Sequence, residues 1–257
     1  MLTMRIIAGF ALLAGTACTA KSPLDEMQPG ERGRVVRVID GDALALDTGQ
    51  SVRLVGVEAP SRNGRYEDAD PYAEEAAREL EDLAMGRGVR LHYPGLTRDR
   101  YNRALAHLTT ADNSGPDWWV NLELVQRGAV RVRLYPDTDL GGEALLAAEA
   151  EARTAAKGLW ALRAYIPRPA ERLGEDFRGF AIVEIELGGA AVSPDEETRT
   201  ILCSRATANA GLVIDMTFNA RPSCEAPSGK TYLVRGWVSG GRLELDHPLH
   251  LQPLESD

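Results

Sequence analysis

Two carboxylates and two arginines recur beside short apolar runs in the first half of the chain. The runs read Val38-Ile39-Asp40-Gly41-Asp42, then Arg53-Leu54-Val55-Gly56-Val57-Glu58-Ala59-Pro60-Ser61, then Asp99-Arg100-Tyr101-Asn102-Arg103. Carboxylate and main-chain oxygens suit a hard cation. Guanidinium is always charged and donates in pairs, which suits a phosphate. Together these residue types could hold a metal ion and a phosphodiester in one place. The bland alternative is a surface ion pair between Asp42 and Arg53, which would contribute little.

The elements around these residues decide whether they meet. The stretch 34–47 is rich in Val, Ile and Leu, Asp47-Thr48-Gly49-Gln50 is a turn signal, and 51–57 is again apolar, which predicts a β-hairpin. With Thr48-Gly49 as the loop, Asp47 pairs with Gln50 and Asp42 with Val55, leaving Asp42 within diagonal reach of Arg53. Helical spacing over 72–85, 120–127 and 140–157 predicts three helices, each closed by a glycine. Strands are expected at 89–93 and 104–109, joined through a turn in which Asn102 suits a left-handed conformation. Ile166-Pro167-Arg168-Pro169 reads as a linker, after which short strands at 180–187, 198–204, 211–218, 232–239 and 242–246 suggest a small β-barrel.

Composition narrows the class. The chain has 257 residues, 44% of them hydrophobic, so it can bury a substantial core. Its net charge of -9 disfavours general affinity for nucleic acid and requires any such contact to be local. Arg87, Arg90, Arg98, Arg100 and Arg103 form a local basic stretch, either a solvated face or a surface that steers an anion toward the proposed site. Trp118-Trp119 either stacks bases or anchors the following helix, and His247 with His250 lacks a third clustered metal ligand.

Residues 1–20 carry Arg5, an apolar core and then Gly15-Thr16-Ala17-Cys18, an export signal. Two outcomes fit: lipidation of Cys18 in a bacterial lipoprotein box, or ordinary cleavage after Ala20. Residues 21–33 would then be a tether. In an oxidising compartment Cys203 and Cys224 either form a disulfide or remain as two buried thiols.

Residues 34 to about 162 resemble the staphylococcal nuclease (thermonuclease) family. The resemblance rests on the three motifs above, on Val120-Asn121 with Leu124-Val125 and Gly128, and on Gly158-Leu159-Trp160. It implies an α+β OB-fold barrel of five strands and three helices over 34–165. A linker at 166–175 and a mostly-β, OB-like barrel at 176–254 would follow. It also implies a Ca²⁺-dependent hydrolase of DNA and RNA. Asp42 and Glu58 would bind Ca²⁺ with the Ala59 carbonyl, and Asp40 would support them from behind. Arg53 and Arg103 would clamp the phosphate, with Arg100 and Tyr101 on the substrate side.

Ser61 departs from the pattern, because the family places there a Glu that orients the attacking water. A serine has no useful base, and loss of one costs about 10²- to 10⁴-fold. Glu67, Asp68 or Asp70 of the following loop could stand in. Two readings therefore remain open: an exported nuclease, periplasmic or held at the membrane only through Cys18, and a catalytically lapsed binding or scaffold lipoprotein. The sequence points to no protein partner.

Overall fold

The computed structural model describes residues 21–62, 69–112, 114–174, 176–192, 200–208 and 211–254. The export signal with Cys18, and Glu67 and Asp68, lie outside the described residues.

Alternating apolar side chains build the first barrel. Its elements are β1 (Gln28–Asp40), β2 (Ala43–Leu46), β3 (Ser51–Leu54), β4 (Val57–Glu58), α1 (Ala73–Ala84), β5 (Gly88–Tyr93), β6 (Ala104–Thr110), α2 (Val120–Gln126), β7 (Arg131–Val132) and α3 (Gly142–Thr154). The ring closes in the order β1-β2-β3-β6-β5, with β3 and β6 parallel. In β5, Val89, Leu91 and Tyr93 point into the core while Arg90 and His92 face outward, the period-two pattern of a half-buried strand. Helix α1 contributes Ala76, Ala77, Leu80 and Leu83 to the same core. Five barrel strands and three helices agree with the sequence-based reading, and Asn102 has the expected positive φ of 61°.

Three local expectations need correction. The apolar stretch 34–47 is two strands broken at Gly41-Asp42, and Gly41 permits the break because a Cβ there would meet Ala59 and Ala76 at 2.7 Å. The hairpin register is also shifted by one residue: Ala43 pairs with Arg53, and Leu46 N–H donates to Gln50 O. The loop holds three residues, Asp47 to Gly49, and ends on Gly49 at φ 84°. Such a loop needs a residue with positive φ at its end. The tether read over 21–33 is structured from Ser22, which caps a 3-10 turn at Pro23–Glu26, and β1 already starts at Gln28.

The second barrel comprises β8 (Arg168–Pro169), β9 (Gly179–Val192), β10 (Ile201–Thr207), β11 (Val213–Thr217), β12 (Thr231–Ser239), β13 (Arg242–Leu245) and β14 (Leu251–Pro253). Its ring runs β9-β10-β11-β13-β12, closed by β12 on β9, with β11 and β13 parallel. This repeats the strand order of the first barrel, although the sequence carries no visible repeat. The region read as linker is partly ordered, since β8 pairs with β9 and Ala170 is buried. Cys203 and Cys224 form a disulfide.

The two barrels share a polar junction. Arg235 of β12 is fully buried and pairs with fully buried Glu149 of α3 at 2.6 Å. Arg235 also donates to Val132 O, and Glu149 accepts from Val132 N–H. His250 Nε2 accepts from Leu134 N–H at 3.1 Å, and His247 Nε2 pairs with Asp139 at 3.0 Å. These histidines belong to the junction.

Candidate active site

The chain from β3 to β4 carries Arg53 and Glu58 at its two ends, and buried contacts fix its path. Asn121 donates to Val55 O at 2.9 Å and accepts from Leu108 N–H at 3.0 Å, tying the segment to α2 and β6. Gly56 takes φ 74°, and a Cβ there would meet Leu145 at 2.7 Å. Trp119 caps α2 and donates its indole N–H to His107 Nδ1 at 3.1 Å, which makes it an anchor of that helix. Burial holds the His107 imidazole neutral, its pKa pushed down to about 3.

Asp42 lies in the Gly41-Asp42 turn with its side chain about 1% exposed. One oxygen accepts from the Ala59 amide at 2.7 Å and the other from the Arg53 guanidinium. Burial pushes its carboxyl up to about 6; Arg53 and the Ala59 amide oppose this, while the charges of Asp40 and Glu58 add to it. Two further carboxylates therefore bear on Asp42 here. Glu58 Oε1 accepts from Arg133 Nη1 at 2.8 Å. Its Oε2 is buried without a hydrogen bond and has Arg131 at 3.9 Å.

Arg53, Arg103, Arg100 and Tyr101 line one cleft of about 550 Å³, together with Arg133 and Tyr135. Each of three arginines is backed by a carboxylate: Arg53 by Asp42, Arg133 by Glu58, and Arg103 by Asp99 at 2.7 Å. Asp99 also accepts from the amides of Tyr101 and Arg103, which shapes the turn that presents both side chains. The wider basic stretch does not act as one surface. Arg87 is paired with Asp112, and Arg98 with Glu31 and the Tyr93 hydroxyl, so Arg100 and Arg103 remain at the cleft.

Sequence reasoning missed Arg133. It follows β7, whose pairing with β4 sets Val132 opposite Val57 and Arg131 opposite Glu58. The Arg131-Val132-Arg133 alternation in an otherwise apolar run was the available signal.

Ser61 follows β4. Its amide donates to Asp70 Oδ2 and its carbonyl accepts from Asp70 N–H, both at 2.9 Å. Burial raises the pKa of Tyr165, to which the Asp70 charge adds, and the Tyr165 ring lies 5.4 Å from the Arg131 guanidinium.

Residues 51–162 match the family model described as staphylococcal nuclease homologue. The thermonuclease of Staphylococcus intermedius is 30% identical over 158 residues, covering 60% of this chain and 90% of that protein. The chain belongs to the staphylococcal nuclease family. An uncharacterized endonuclease of Escherichia coli is 33% identical over 131 residues, covering 50% of this chain and 76% of its own length. The thermonuclease of Staphylococcus hyicus is 28% identical over 130 residues, covering 49% and 74%. The nuclease-family match falls on the first barrel and ends before the second.

Proposed function

We propose that the protein is an exported, Ca²⁺-dependent nuclease acting on the phosphodiester bonds of DNA or RNA. One observation carries this reading: Arg53, Arg103 and Arg133 open onto one cleft, with Asp42 and Glu58 directly behind two of them. The kinship with named nucleases and the Cys203–Cys224 disulfide, which suits an oxidising compartment, support it.

The residues fit a hard cation held by few protein ligands. Asp42 is a buried carboxyl burdened by two neighbouring carboxylates, and Glu58 Oε2 is a buried acceptor without a donor. Among the described residues no three His, Cys, Asp or Glu side chains converge as a metal-binding group. Asp42 and Glu58 would therefore share the ion with the Ala59 carbonyl and water, as Ca²⁺ tolerates. When bound, the ion supplies positive charge to the scissile phosphate and to a coordinated water.

The protein's own groups do the rest. Arg53 and Arg103 bind the non-bridging oxygens and stabilise the charge that builds on them in the transition state. Their carboxylate partners fix each guanidinium before substrate arrives. The Asp70 carboxylate, hydrogen-bonded to the Ser61 amide, takes the place of the missing Glu in orienting water.

The test is cleavage of single- and double-stranded DNA and RNA by the mature protein, with Ca²⁺ and with chelator. Chelator-sensitive cleavage is expected; none at enzyme levels approaching substrate overturns the reading. Ser61→Glu separates activity from a lapsed binding role. A rise of about 10²-fold means that an assembled site lacked only its base, and it removes the Asp70 role. No rise, with intact folding and no nucleic-acid binding, favours the scaffold reading.

A further inference from the structure

Arg133 stands between two aromatic rings. The Tyr135 ring centre lies 5.1 Å from its guanidinium carbon on the first-barrel side, and the Phe180 ring centre lies 5.3 Å away on the second-barrel side. Phe180 also lies 5.1 Å from Arg131, which in turn faces Tyr165. Aromatic faces attract guanidinium groups and restrict where they point. Glu58 binds one end of Arg133 at 2.8 Å, and the side chain keeps about a quarter of its surface exposed, at the cleft it shares with Arg53 and Arg103. A cation held by a carboxylate and two rings, yet open to a cleft with two other guanidiniums, is arranged to receive an anion. Phe180 pairs opposite Trp237 in the β9 segment laid against β12, the strand of the buried Arg235. The second barrel thus reaches the cleft through a side chain on a rigid strand.

We infer that Arg133 is a third phosphate-binding arginine of the cleft and that Phe180 of the second barrel is its positioning residue. The inference rests on the proposed nuclease reading, in that it assigns a phosphate ligand to the same cleft. It gives the second barrel a role in substrate binding that needs no ligand site of its own.

The test uses the full mature chain in chelator, with a fluorescently labelled single-stranded DNA oligonucleotide titrated over a range of salt. Each phosphate contact on a single strand contributes about 0.7 to the slope of log affinity against log salt. Arg133→Gln is expected to weaken binding about tenfold and to flatten the slope by about 0.7. Phe180→Leu should weaken binding by a smaller factor and Phe180→Tyr should restore it, whereas a purely packing role would lower the melting temperature without moving the slope. If Arg53→Gln flattens the slope and Arg133→Gln does not, the third-arginine inference is wrong and the cleft reading stands. Normal binding by Phe180→Leu removes the positioning role alone. If the wild-type chain does not bind at low salt, or neither arginine variant changes the slope, the cleft reading falls and the inference with it.

Discussion

The two barrels have the same strand order and use charge in opposite ways. In the first, arginines backed by carboxylates still face an open cleft, as Arg53, Arg103 and Arg133 do. In the second, Asp215 receives Arg242 through two nitrogens and also the Ser204 hydroxyl, so the charge is consumed inside the sheet. Arg205 is likewise spent on the carbonyls of Gly188, Cys224 and Ala226. The second barrel turns its remaining notable groups, Arg235, Phe180 and His250, toward the first. Topology alone therefore says little about function; the direction in which each charged group is left open separates the two.

The contrast is best broken at the junction. Arg235→Met leaves the fully buried Glu149 charge with only Arg153 at 3.8 Å to oppose it and should cost about 3 kcal/mol in denaturant unfolding. Adding Glu149→Gln, whose amide oxygen can still accept from Val132 N–H, should recover most of that loss. A double variant as unstable as the single one would mean that packing, not charge, holds the barrels together.

Next in size is the tie within the second barrel. Cys203 and Cys224 are 21 residues apart, and in the chain-entropy model opening such a loop costs about 3 kcal/mol. Cys203→Ser should lower the melting temperature and, through Phe180, weaken oligonucleotide binding. Unchanged binding by a destabilised but folded variant would show that the disulfide stabilises its own barrel without reaching the cleft.

Acid should strain junction and site with opposite signs. His250 is held neutral by burial, its pKa lowered to about 2, with Arg235 contributing. Its folded value lies below the unfolded one, so its contribution is present above pH about 6.5 and is lost as pH falls, by up to about 1.4 kcal/mol per unit. His250→Gln should flatten that limb. Asp42 has a folded value of about 6, above its ordinary 3.8, so its protonation favours the folded chain as pH drops between those values. At the proposed Ca²⁺ site the same protonation should weaken binding about tenfold per pH unit below 6, because the ligand must lose its proton first. Calcium titrations at pH 5 and 7 with equal affinity would remove Asp42 from the metal site.

Much of this was legible in the sequence where local pattern and local chemistry coincide. The three helices are predicted within a few residues of their observed ends, because apolar spacing and terminal glycines mark them. Asp42, Glu58, Arg53 and Arg103 are recognisable from motif residues that also shape the turns carrying them. The hairpin register was not, because a two-residue and a three-residue loop differ only in the conformation of Asp47 and Gly49. Arg133 and the junction were hidden for another reason: their partners are remote in sequence, Glu58 for Arg133 and Glu149 for Arg235. Arg235 did leave a trace, as a charge within the apolar strand Tyr232-Leu-Val-Arg235-Gly236-Trp237, where burial demands a partner.

Both backbone groups of Val132 are satisfied by the junction pair, its N–H by Glu149 and its carbonyl by Arg235. Val132 also belongs to the two-residue strand that pairs with Glu58. The residue is thus held from both sides, its N–H by Glu149 of the first barrel and its carbonyl by Arg235 of the second. The Val132 carbonyl resonance, next in sequence to Arg133, would shift when Arg235 and the second barrel let go.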